Sequence, residues 1–199
     1  MKFLNLYYIL ILVLLQQSCD NRKTIKKIES FETSATKNEW LIELAAKTPL
    51  NSQELIRLLP PQLLGMPLIS TVPNGTLTVV GTYSNDTEPN FTSTTITFTL
   101  VEGAGNLGFQ HVNAMHKILN QEIDQTVEEG WTKTALHNNQ KILVKEQTKK
   151  NKSEIQSTVV SSIDVIKNNR FHINLTGTHL DVNKLKTACN EVMSLSFPE

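Results

Sequence analysis

Residues 95–100, Thr-Ile-Thr-Phe-Thr-Leu, alternate strictly between threonine and a large apolar side chain. Successive side chains of a strand point to opposite faces, so this segment reads as a strand with one dry face and one wet face. Parallel sheets are buried on both sides and read as continuous apolar runs, so the alternation points to an antiparallel sheet. Leu77, Val79, Gly81 and Tyr83 carry the same parity just after the turn signal Pro73-Asn74-Gly75.

The remaining elements follow from spacing. Trp40, Leu41, Leu44 and Ala45 share one face of a helix over 38–47, stopped by Thr48-Pro49. Asn51 with Glu54 three residues on is a capping box for a second helix, whose apolar stripe is Leu55, Leu58, Leu59 and Leu63 and which Pro60-Pro61 ends or kinks. These two helices are expected to cover one face of the sheet. A helix over 111–123 places Val112, Met115, Ile118, Leu119 and Ile123 inward. Strands follow over 128–136 and 140–147, joined by Asn138-Asn139, then over 155–165 and 171–175, joined by Lys167-Asn168-Asn169. Asp181 caps a last helix with Val182, Leu185, Cys189 and Val192 on one face. The expectation is an α+β fold: an antiparallel sheet of about six strands with helices packed on it. In element order, residues 50–195 resemble small α/β-sandwich domains of the Mog1 and PsbP-like kind, which end in a helix packed across the sheet.

The N-terminus gives an address. Lys2 is followed by an apolar run over 3–15 interrupted only by Asn5, then Gln16-Gln17-Ser18-Cys19. The run is shorter than the ~20 apolar residues needed to cross a bilayer core and has the proportions of a signal-peptide h-region. A signal ending in a small residue before Cys resembles that of bacterial lipoproteins, although Leu15 lies one position further back than in the usual lipobox. The resemblance implies cleavage before Cys19 and acylation of its thiol, which anchors the chain to the inner or outer membrane of the envelope. Asp20 directly after it is similar to an inner-membrane retention signal of enteric bacteria. Residues 1–18 are then the signal peptide, 19–37 a lipidated tether, and 38–199 one α+β domain. The tether's Arg22, Lys23, Lys26 and Lys27 read as a solvated linker.

Composition narrows the function classes. Nineteen basic residues balance nineteen acidic ones, so no electrostatic footprint for nucleic acid exists. With lipid on Cys19, Cys189 has no intrachain partner and the fold stands without a disulfide. Gly103-Ala104-Gly105-Asn106-Leu107-Gly108 has the G-x-G-x-x-G spacing of a dinucleotide loop. Its context opposes that reading, because the strand before it alternates with threonine and no βαβ unit follows. A flexible strand-to-helix loop is the expectation.

The five histidines form no metal pattern. His111 and His116 are five apart and do not share a helix face as an i, i+4 pair does, His172 alternates outward from Phe171 and Ile173, and His179 precedes a cap. No metal and no cofactor is expected. There is no Gly-x-Ser-x-Gly elbow, Cys189 reads as a small buried apolar group, and Glu128-Glu129 read as solvated. Sequons at Asn74, Asn85, Asn90, Asn151 and Asn174 read as composition. Trp131 and Tyr83 fall at core parity, either as packing or as the floor of a ligand groove. The reading that results is a non-catalytic binding or envelope-assembly module, held to the membrane through acylated Cys19 and facing an envelope protein partner. The alternative is an exported enzyme or small-molecule carrier whose site forms only in three dimensions.

Overall fold

The structure, a computed structural model, describes residues 34–150 and 157–199. Cys19, the signal, most of the tether and Ile155 lie outside the described residues. The elements in chain order are α1 (Ser34–Ala46), α2 (Ser52–Ile56), β1 (Gln62–Leu63), β2 (Met66–Pro73), β3 (Thr78–Ser84), β4 (Thr95–Glu102), α3 (Gly105–Leu119), β5 (Asp124–Val127), β6 (Gly130–His137), β7 (Gln140–Lys150), β8 (Ser157–Lys167), β9 (Phe171–Thr178) and α4 (Val182–Ser194). One sheet holds nine strands in the order β1-β2-β3-β4-β9-β8-β7-β6-β5, with every neighbouring pair antiparallel. The α+β antiparallel expectation stands. The count of about six is corrected to nine.

The extra strands have identifiable causes. Leu63 belongs to β1 and not to the stripe of α2, because Pro60 and Pro61 end the helix and Leu64-Gly65, both at positive φ, reverse the chain into β2. β2 pairs with β3 through an irregular register between Leu68 and Ser70, which breaks its alternation in the sequence. The strand expected over 128–136 is β6, starting two residues later at Gly130, and β5 is an added strand over Asp124–Val127 that pairs with it across the turn at Glu128-Glu129. α3 starts six residues before His111 and ends at Leu119, before Ile123.

Other local signals act as read. Asn51 caps α2 with its side chain accepting from the Gln53 and Glu54 amides, while Glu54 returns a bond from the Asn51 N–H. Asn138-Asn139 adopt the positive φ that a two-residue hairpin of right-handed twist requires, and Asn168-Asn169 take positive φ in the three-residue loop 168–170 between β8 and β9. Asp181 caps α4.

The sheet has two unlike faces. On the first, Val79, Tyr83, Ile96, Phe98, Leu100, Ile163, Ile173 and Leu175 are buried beneath α2 and α4, which contribute Leu55, Leu185, Cys189 and Val192. Tyr83 and Trp131 both pack with this core, and the Tyr83 hydroxyl donates to the Pro60 carbonyl at 3.0 Å. On the second face a smaller cluster joins Leu44 of α1 and Val112 and Leu119 of α3 to Leu143 and Ile166 of the sheet. The two N-terminal helices therefore divide between the faces. The expectation that both cover one side is overturned, because the capped turn of α2 is followed by Leu59 and Leu63 folding into the first core while Leu44 and Trp40 turn to α3.

Candidate functional site

The second face is where polar side chains collect. Cross-strand neighbours run from Ser70 on β2 through Thr82, Thr97, Thr176 and Ser162 to Lys145 on β7. At about 4.8 Å per strand, the row extends about 24 Å. All of its hydroxyl residues between β3 and β8 are half-buried. The period-two alternation dictates this, since each residue lies between two buried residues of its own strand.

The adjoining row carries the chemistry. Thr99 pairs with Asn174 and Asn174 with Asp164, while the next row places Val101 beside His172 and His172 beside Ile166. α3 lies across this end of the sheet, so that His172, outward-facing by parity, is only 6% exposed. His172 Nε2 lies 3.0 Å from Asp164 Oδ1, and its Nδ1 lies 2.8 Å from Nε2 of His111 on α3. Asn174 donates to the same Asp164 oxygen at 2.8 Å, and the Thr176 hydroxyl donates to Asn174 Oδ1 at 3.0 Å.

Proton positions follow from who can accept. An ionised carboxylate only accepts, so His172 donates from Nε2. A neutral His172 then has its lone pair on Nδ1 and accepts from His111 Nε2–H, leaving His111 Nδ1 as the bare basic nitrogen. Desolvation of the part of its ring that faces His172 holds His111 below the ordinary histidine pKa, the neighbouring His172 adds to this, and Asp164 partly offsets both. The rest of His111 is solvent-exposed at the edge of the helix, with exposed Leu107 one turn before it. The arrangement can take up, share and pass on a proton.

The other sequence-singled residues fall elsewhere. His116 lies against the Trp40 ring at 4.9 Å between centroids, His179 Nε2 meets the Phe91 carbonyl, and His137 Nε2 meets Asn190 Oδ1 at 2.7 Å. Among the described residues, no three His, Cys, Asp or Glu side chains are grouped to hold a metal. Cys189 is buried, and desolvation pushes its thiol up to about 11, which suits the apolar role read for it. It lies at the edge of a cleft of about 240 Å³ lined by His137 and Met193, below the roughly 300 Å³ at which ligand pockets begin. A wider hollow of about 780 Å³ lies over the loop from Asn85 to Thr94 and is open to solvent. Glu128 and Glu129 are exposed.

The glycine motif is a tight junction rather than a flexible loop: Gly103 and Ala104 are buried between the end of β4 and the first turn of α3. Gly103 and Gly108 allow close backbone approach to Arg170 and to Glu102. Below them is a buried ion pair, with Arg170 Nε 2.9 Å and Nη2 3.0 Å from the two Glu102 oxygens. Glu102 also accepts from the Ala104 and Leu50 amides, and Arg170 Nη1 donates to the Glu199 carbonyl. Every group is partnered, so the cluster is a structural clasp.

Sequence reasoning missed the pairing of His111 with His172. The usable signal was the set His172, Asn174 and Asp164 on one parity, but bringing α3 over it needed the register and the crossover from β4. No family model, no curated protein and no solved structure matches the chain.

Proposed function

We propose that this chain is a lipid-anchored module of the bacterial cell envelope, held by acylated Cys19, whose open sheet face binds a protein partner without catalysing a reaction. The observation that carries the binding reading is the contrast between the faces: one is sealed by α2 and α4, while the other carries a hydroxyl row about 24 Å long. A polar row of that length suits a wet protein contact better than a small ligand, which is usually enclosed in a concave pocket. The anchor reading rests on Lys2, the apolar run over 3–15 and Cys19.

Photo-crosslinking from single positions of the full chain in cells tests this. A crosslinker at Thr97 or Thr176 is expected to yield a discrete protein adduct, one at exposed Lys184 on α4 to yield none, and Cys19→Ala to abolish the first. Equal adducts from both faces, or none from the open one, contradict the proposal.

The second reading, an exported enzyme or carrier, is favoured by one observation, the His111–His172–Asp164 chain. It requires a substrate seated against His111 Nδ1, and a turnover that His111→Gln removes while the Thr97 adduct persists.

A further inference from the structure

We propose that the His111–His172–Asp164 chain is a proton-operated latch, which fastens α3 to the sheet at neutral pH and loosens it in acid. Two imidazole nitrogens face each other, and the number of protons they carry decides whether the contact forms. With both imidazoles neutral, His111 Nε2–H donates to His172 Nδ1 across 2.8 Å, and the contact is made. With one added proton, the pair still shares a single hydrogen between those nitrogens, and the extra charge lies one ring away from Asp164. With two added protons, both facing nitrogens carry hydrogens. The bond cannot form, and two positive rings with centroids 4.9 Å apart repel. The contact is therefore compatible with zero or one proton and incompatible with two.

Among the described residues, the hydrogen bonds of the two rings are to each other and to Asp164. β8 supplies Asp164, β9 supplies neutral Asn174, and β4 supplies Thr99 and Val101. β7 supplies Leu143, with Lys145 one row beyond, opposite Ser162, and Lys141 on the other side, where its ammonium donates to Asn120 at the end of α3. α3 carries His116 and Lys117 further along, α1, packed against α3, carries Glu39 and Glu43, and Lys47 follows it, all three of these exposed.

The sign follows from linkage. A base whose folded pKa lies below its unfolded value takes up its proton more readily once released. The latch is thus fully closed above about pH 6.5, the ordinary histidine value, and weakens as pH falls below it. The apolar tie of Val112 and Leu119 to Leu143 and Ile166 does not titrate, so the acid response is loosening of the helix rather than loss of the fold.

Hydrogen exchange of the full chain in detergent, at pH 7.5 and 5.0 and corrected for intrinsic rates, tests the latch. Protection of α3 is expected to fall about tenfold more than that of β4, since each pH unit below a protonation step changes the populations tenfold. His111→Gln keeps an N–H donor toward His172 but cannot be protonated, and is expected to remove the difference. A variant that loses α3 protection as wild type does, or a wild type in which α3 follows β4, overturns the proposal. Should the variant fold poorly, imidazole nitrogen shifts of the wild type decide. Two linked steps, the second displaced below the first, support the latch, and two independent titrations near pH 6.5 overturn it.

Discussion

Glu102→Ala is expected to destabilise the domain by about 3–5 kcal/mol, because it leaves the Arg170 guanidinium buried opposite a void. Glu102 has no exposed surface and receives four bonds, from two guanidinium nitrogens and from the Ala104 and Leu50 amides. Removing it strands all four donors, and a stranded buried donor costs more than its bond contributes. The amides belong to the starts of α2 and α3, so the loss reaches both faces of the sheet. For a domain of this size the midpoint should fall by roughly 6–20 °C. Urea denaturation followed by circular dichroism checks this. A loss below about 1 kcal/mol would mean the pair behaves as an exposed one, contrary to its burial. The double replacement Glu102→Gln, Arg170→Met should recover much of the loss, since the largest cost lies in the uncompensated charge.

Gly103→Ala should cost about 3 kcal/mol, at the upper end of overpacking effects. A Cβ at this position would lie 2.1 Å from the Arg170 carbonyl oxygen and 2.5 Å from Val112 Cγ2. The first obstacle is backbone leading into β9, held by the clasp below, so it cannot swing aside as a side-chain tip can. Gly75→Ala is the matched control: no atom lies within 4 Å of its Cβ, and only its φ of +78° opposes the change, at about 1 kcal/mol. If Gly103→Ala costs no more than Gly75→Ala in the same denaturation experiment, the close approach of β4, α3 and β9 is not as described.

These two positions also show how far the sequence could be read. The alternation of Ile96, Phe98 and Leu100 with Thr95, Thr97 and Thr99 was sufficient for strand, face and antiparallel class, because a strand's period is a local property. Capping at Asn51 and Asp181 and the paired asparagine turns were legible for the same reason. β2 was not legible, because the irregular register at Leu68 and Ser70 breaks the alternation that would have revealed it. The glycines of 103–108 resembled a phosphate loop when the spacing was taken alone. Their cause is distant in sequence, at Arg170, sixty-seven residues on from Gly103.

The candidate site was illegible for a related reason. His111 and His172 come from separate elements and meet only because α3 crosses the second face over β7 and β8. Parity correctly placed His172 off the first core, but outward from one face is not the same as solvated when a helix covers the other. Cys189 was the simpler case, since a helix stripe by itself dictates burial.

The anchor at Cys19 is the claim on which the envelope reading depends, and intact mass of the membrane-extracted protein tests it directly. The expected species begins at Cys19 and carries added diacylglyceryl mass, which Cys19→Ala removes together with retention in the membrane fraction. An unmodified chain retaining Met1, or one cleaved elsewhere and found free of membrane, would contradict the lipid anchor and leave the open sheet face to be explained without an envelope.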